Sequence, residues 1–479
     1  MAQDRTVYAN PLISRYASRE MSAIFSEQAK ARKWRLCWVV LAEAEGELGL
    51  PIGEEQVAEL KAFQDRIDYE AIEEKEKRLR HDVMAALLAY GDQCPRARGI
   101  LHLGATSCYV TDNTELMQFH EALLLLRRRL AAAIRALADF AATHKGLRCL
   151  GYTHFQPAQP TTLGKRACLW LQDLMICLED LKHLLAGYRL RGVQGTTGTQ
   201  DSFLKLFDGD HARVKRLNEL VCRKLGFAGS FPICGQTYTR LFDSRLMDLL
   251  KNIAQSASKF AVDFRLMQHL KMLEEPFEEE QVGSSAMAYK KNPMRCERLC
   301  SLARIVMSFA SAADQTAANQ WFERTLDDSA GRRIYMPQAF LGVEAVLLLA
   351  GNVVSGARVY PKVIARLLAE ELPFMATETI LMEGSKLGND RQSLHEAVRQ
   401  NALEAGREIK EQGLPNTLLA KLAADPRIPF DLEQLERMTY NTDFSGRAER
   451  QVEEYLAEIV EPALAEEGVG PEAGAEIRV

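Results

Sequence analysis

Two stretches of the chain repeat apolar residues at intervals of three and four, the period of a helix with one buried face. In the first, Leu123, Leu126, Leu130, Ile134, Leu137 and Phe140 lie on one side of the run from Glu115 to Thr143. In the second, Leu246, Leu249, Leu250 and Ile253 are continued by Phe260, Phe264, Met267 and Leu270. Proline removes a backbone donor and clashes with the preceding helical turn. It is absent between Pro160 and Pro232, and again between Pro232 and Pro276. The pattern predicts helices of about thirty residues or more. Strand-like alternation is nearly missing, so the expected class is all-α. Apolar stripes this broad need more cover than one short neighbour gives, which suggests a bundle core that other subunits would complete.

The flanks read differently. Up to about residue 106 the helices are shorter, punctuated by Pro51, Gly53 and Pro95. Beyond Tyr360 and Pro361 they are short again, with breaks expected at Pro373, Gly384, Gly388, Pro415, Pro426 and Pro429. The predicted layout is therefore 1–106, 107–359 and 360–479. Glu274 to Gln281 reads as an acidic helix-like run and Cys296 to Met307 as a helix. The tail from Glu466 to Val479, rich in Glu, Gly and Ala, is expected to fray.

Composition narrows the function classes. Hydrophobic residues are 47% and charged residues 26%, with a formal charge of −5, as in ordinary globular proteins. That charge gives no footing for nucleic acid or an anionic membrane. The N-terminus lacks a secretory apolar stretch, and the richest apolar run, Phe340 to Val354, is interrupted by Glu344 and is too short for a bilayer. The ten cysteines form no C-x-x-C pair. Free thiols in a reducing compartment, no zinc site and a cytoplasmic location are the expectation.

Polar islands separate the predicted helices. Gly283, Ser284, Ser285, Lys290, Lys291 and Asn292 form a small-residue loop whose N–H groups can converge on an anion while its lysines add positive charge. A serine among such donors is acidified, as a base that takes a proton beside a carboxylate requires. Arg80, His81 and Asp82 follow a charged helix, Glu73 to Arg78. His102 to Ser107, with Asp112 and Asn113 beyond, reads as a helix N-terminus that offers free N–H groups. Thr153, His154 and Gln156 sit before a turn stiffened by Pro157 and Pro160. Gly195 to Gln200 and Gln236 to Tyr238 add two small polar bends. Trp321 to Arg333 carries Arg324, Arg332 and Arg333 with Ser329. These arginines could grip a phosphate, or could be spent on Glu323, Asp327 and Asp328.

In order and wording these islands resemble the fumarase/aspartase superfamily of lyases, whose signature loop reads like residues 283–292. Within it they resemble the adenylosuccinate lyase family, animal-type members above all. That resemblance runs from Ser14, Arg15 and Tyr16 to Pro373–Glu378, His395 and Glu396. One departure stands out: Ala288 occupies the place of the usual loop proline, which should raise the entropic cost of ordering the loop.

The resemblance implies a three-domain fold with a long-helix bundle shared across a homotetramer. It implies β-elimination of fumarate from adenylosuccinate, giving AMP, and from the succinylated aminoimidazole-carboxamide ribotide SAICAR, giving AICAR, with no cofactor and no metal. Ser284 would be the general base, His154 the general acid and His81 a substrate-orienting partner beside Arg80 and Asp82. Which of His154 and His81 protonates the leaving nitrogen stays open. Thr106, Ser107, Gln236, Lys290 and Asn292 would hold the succinyl carboxylates, with Thr153 beside them. Arg15, Tyr16, Arg324, Ser329 and Arg333 would hold the phosphate, and Arg298 would line the nucleotide pocket. Glu297 would pair with His154 or Lys290. The rival readings are an argininosuccinate lyase, a scaffold without turnover and an all-α nucleotide-binding regulator.

Overall fold

The computed structural model describes residues 6–287 and 289–468. Ala288 and the tail beyond residue 468 lie outside the described residues.

Five long helices make the body: Ser107–Thr143, Leu163–Ala186, Leu241–His269, Met294–Ala318 and Asp327–Ser355. The apolar repeats seen in the sequence are their inner faces; Leu123, Leu126, Leu130, Leu246, Leu250 and Ile253 are all fully buried. Asp327–Ser355 is apolar almost all round and is long and apolar enough to cross a membrane. Within the fold, 72% of its most apolar window is buried, as expected of the central member of a bundle. Gly342 lets it approach Met294–Ala318, since a Cβ there would meet Val306 Cγ2 at 2.7 Å.

Glu27–Glu47, Tyr69–Leu79 and Asp82–Gln93 cover one end of the bundle. Further along, a second core gathers Ile380, Leu394, Leu418, Leu422 and Leu435. The last helices then leave it. Val452, Leu456, Val460 and Leu464 belong to the bundle core. Arg135 to Glu461 and Arg127 to Glu467, each at 2.6 Å, pin this return to Ser107–Thr143. Thus the segment expected to form a separate C-terminal unit, 360–479, returns to the bundle over residues 452–467.

Three local expectations fail. First, Arg148–Thr153 and Gln156–Thr162 pair as an antiparallel hairpin. Its prolines are tolerated because a two-stranded ribbon leaves edge positions free of ladder bonds. Second, Glu274 to Gln281 is not helical: Leu273–Glu274 pairs with Arg358–Val359, and the carboxylates serve elsewhere. Glu275 accepts from the backbone N–H groups of Arg295 and Cys296 at 2.9–3.2 and 3.0 Å, closing the start of Met294–Ala318. Third, Pro373 and Gly384 do not break helices. Pro373 sits in the last turn of Pro361–Met375 and Gly384 within Thr377–Lys386, where tertiary packing outweighs local propensity.

Candidate active site

Five helices begin around one cavity of about 840 Å³: Glu27–Glu47, Asp82–Gln93, Ser107–Thr143, Leu241–His269 and Asp327–Ser355. A helix N-terminus carries unspent N–H groups and about half a positive charge, so their convergence favours an anion. Thr106 occupies the N-cap position of Ser107–Thr143 but makes no side-chain cap bond.

His81 caps the neighbouring helix, its Nδ1 accepting from the Met84 N–H at 3.4 Å. That leaves Nε2 as the protonated nitrogen, 3.4 Å from the Ser107 hydroxyl and facing the cavity. Arg80, just before it, is held in the left-handed region at φ 55°. Behind them, His102 accepts from Trp38 Nε1 through Nδ1 at 2.9 Å. Burial pushes its pKa down to about 4, with His81 adding to the shift.

The cavity floor is a buried ion network. Arg240 donates to Asp328 at 2.8 Å and Asp112 at 3.2 Å. Arg332 reaches Asp243 and Glu115 at 2.7 Å and the Tyr238 hydroxyl at 2.6 Å; that hydroxyl donates to Asp243 at 2.6 Å. Arg324 donates to Asp328 at 2.9 Å and Arg333 to Asp82 at 3.0 Å. The choice left open by sequence divides: Arg332 is wholly spent inside, whereas Arg324 and Arg333 keep accessible faces. Gln236 lines the cavity too, with its amide donating to the Thr196 carbonyl at 3.1 Å. Its backbone carbonyl accepts from the buried Arg191 at 2.7 Å.

Arg80, His81, Asp82, Thr106, Ser107, Gln236, Arg324, Ser329 and Arg333 therefore share one cavity. The other expected residues do not line it. Ser284, Lys290, Asn292, Glu297 and Arg298 lie where Leu241–His269 ends and Met294–Ala318 begins. A helix of 29 residues spans about 44 Å, so no single substrate touches both groups within one chain. Tyr16 joins the far group, with the Arg298 guanidinium 5.7 Å from its ring centroid, and exposed Arg15 precedes it.

At that far end the Ser284 hydroxyl oxygen accepts from the Met287 N–H at 3.2 Å and, more weakly, the Ala286 N–H at 3.4 Å. Gly283 is required because a Cβ there would lie 2.3 Å from the Lys290 carbonyl. The Asn292 amide donates to the Gly283 carbonyl at 2.8 Å and closes the loop base. Glu297 stands 3.9 Å from Arg265, not beside His154 or Lys290 of its own chain. Lys290 is exposed.

His154 and Phe155 form the tip of the hairpin, both with positive φ, 52° and 56°. A two-residue turn of this kind prefers Asn-Gly, so two bulky residues there are strained. Thr153 pairs with Gln156 at its base, and His154 and Phe155 are solvent-exposed.

Sequence reading missed Arg240, Asp243, Glu115 and Arg191 as supports. A faint signal existed, since Arg240 and Asp243 stand three apart where an apolar helix begins.

The long-helix bundle, with an arginine-bearing cavity at one end and a serine loop at the other, has the fold of the fumarate lyases. Residues 15–308 match the lyase family model, and residues 373–455 match the adenylosuccinate lyase C-terminus. The chain is 48% identical to adenylosuccinate lyase of Saccharomyces cerevisiae over 95% of both chains. It is 46% identical to that of Schizosaccharomyces pombe over 97% of both, and 45% identical to that of Schistosoma mansoni over 95% of this chain and 96% of the other. The chain belongs to the adenylosuccinate lyase family. Its fold matches a fumarate lyase from Mesorhizobium at TM-score 0.80 and 23% identity, over 94% of this chain and all of that one. A 3-carboxy-cis,cis-muconate lactonizing enzyme from Pseudomonas putida matches equally at 0.80 and 22%, over 96% and 99%.

Proposed function

We propose that the protein cleaves adenylosuccinate to AMP and fumarate, and SAICAR to AICAR and fumarate, at sites assembled from several copies of the chain. The near-full-length likeness to adenylosuccinate lyases carries this reading. Ser284 takes a proton from the carbon beside a succinyl carboxylate. The resulting aci-carboxylate is stabilised by loop N–H groups and Lys290, which hold the developing charge better than the ground state. The C–N bond then breaks, the electron pair goes to nitrogen, and His154 supplies the proton that makes it a leaving group.

His81, with its Nε2–H toward the cavity, orients the same substrate beside Thr106, Ser107 and Gln236. Arg15, Tyr16, Arg324, Ser329 and Arg333 anchor the phosphate, and Arg298 lines the base pocket. Asn292 would hold a succinyl carboxylate while its amide ties the loop base, and Glu297, 3.9 Å from Arg265 in its own chain, would pair with His154 or Lys290 across the assembly. The separation of the cavity from Ser284, and the exposed hairpin tip bearing His154, support a homotetramer that joins the two ends across chains. The layout 1–106, 107–359 and 360–479 and a cytoplasmic setting belong to the same proposal.

Incubation with adenylosuccinate, SAICAR and argininosuccinate in turn, following fumarate, tests it. Release from the first two supports the reading; release from argininosuccinate alone overturns it. Sedimentation that finds an active monomer overturns the shared site.

A further inference from the structure

Glu344 is a carboxylate in the middle of the most apolar helix, wholly buried between Val343 and Ala345. A charge in such a place is costly unless every lone pair finds a donor. Here two donors come from Ser18 of the N-terminal arm and one from Arg129 of Ser107–Thr143. Glu344 Oε2 accepts the Ser18 backbone N–H at 2.9 Å, and Oε1 accepts the Ser18 hydroxyl at 2.7 Å and Arg129 Nε at 3.3 Å. The Ser18 oxygen in turn accepts the Met21 N–H at 3.0 Å and so caps Arg19–Ile24. Immediately before it, the Ala17 N–H donates to the Leu12 carbonyl at 2.8 Å, closing the turn Leu12–Tyr16. Of that turn only Leu12 is buried. Beside buried Leu12, Ala17 and Met21, the Ser18–Glu344 pair is the polar fixed point of the arm that carries Arg15 and Tyr16.

We infer that Glu344 is a positioning residue for phosphate binding: it anchors the N-terminal arm at Ser18 and thereby holds Arg15 and Tyr16 on the substrate phosphate. The inference rests on the phosphate role proposed for those two residues.

Steady-state kinetics of the full chain test it. Glu344→Gln should raise KM for adenylosuccinate about tenfold while kcat stays within about twofold. Inhibition by AMP should weaken by a similar factor, and inhibition by adenosine, which lacks the phosphate, should not change. Ser18→Ala, which removes the hydroxyl's bond to Glu344 and the cap on Arg19–Ile24 but keeps the backbone N–H bond to Glu344, should shift KM the same way by less, and it decides the question if Glu344→Gln does not fold. Arg15→Ala separates the two layers. If it leaves KM unchanged, the phosphate reading falls and the inference with it. If it raises KM while Glu344→Gln and Ser18→Ala do not, the anchor alone is overturned. A lower kcat or lower melting temperature at unchanged KM and unchanged AMP inhibition also overturns it, because that is what a purely structural carboxylate would give.

Discussion

The two ends of the bundle solve opposite problems. At the cavity end, polar groups are buried and interlocked: Arg240 and Arg332 are nearly inaccessible and between them engage Asp112, Asp243 and Asp328, each almost wholly buried. Their geometry is set before any substrate arrives, which is what preorganised binding requires. At the loop end the chemistry stands outside the packed body. Among the described residues the bonds to Ser284 come from its own loop, Lys290 is exposed, and His154 rides on a strained hairpin tip. One end presents convergent helix N-termini over arginines already locked to buried acids. The other holds Ser284, Lys290 and His154 on accessible segments, where the proposed neighbouring copy would supply the wall.

The sharpest way to break that comparison is complementation. Ser284→Ala at the loop end and His81→Ala at the cavity end should each lower kcat about 10³-fold. Co-refolding the two variants should recover measurable fumarate release, because mixed assemblies regain some intact sites. No recovery in confirmed mixed oligomers would mean that each chain works alone. Next, Arg332→Met should destabilise by about 3–5 kcal/mol, since it leaves Asp243 charged and unpaired in the interior. Arg333→Met, at an exposed pair, should cost less than about 1 kcal/mol. Urea unfolding midpoints compare them, and equal costs would deny the contrast between buried and accessible arginines.

A pH effect of about 3 kcal/mol belongs to the cavity end. The folded-state pKa of His102 is depressed to about 4 from the ordinary 6.5. The unfolded chain therefore binds a proton that the folded chain refuses. His102 costs nothing above pH 6.5, and stability is lost as pH falls from there toward 4. His102→Gln, which keeps an acceptor for Trp38, should flatten that part of the stability curve; an unchanged slope would exclude His102 as its cause. Smallest is Phe155→Gly at the hairpin tip. It relieves a left-handed backbone and should stabilise by about 1 kcal/mol or less, read as a slightly higher melting temperature. A clear loss of stability would show that the Phe155 ring, not the turn, holds the hairpin.

Much of this was legible in the chain. The heptad-like spacing of Leu123 to Phe140 and Leu246 to Leu270 is a local property, so the long helices could be read directly. The islands at 80–82, 102–107, 236 and 283–292 were visible because residues of unusual chemistry interrupt apolar periodicity. Failures came where distant contacts decide. Glu274 to Gln281 has helical composition, yet Glu275 is drawn to the N–H groups of Arg295 and Cys296, which no local rule anticipates. His154 and Phe155 are poor turn formers, so the hairpin was hidden. Arg324, Arg332 and Arg333 look alike in sequence and separate only by the acids that fold against them.

Sequence alone therefore determined the all-α class, the membership implied by the motifs and the residue types available for elimination, because periodicity and motif wording are written along one dimension. Tertiary structure decided which of those residues share a cavity, which arginines are spent on buried acids, and that Ser284 and the cavity stand at opposite ends of a helix about 44 Å long. The reason is geometric: a rigid bundle brings the ends of sequence-distant helices together and holds the two ends of each helix apart.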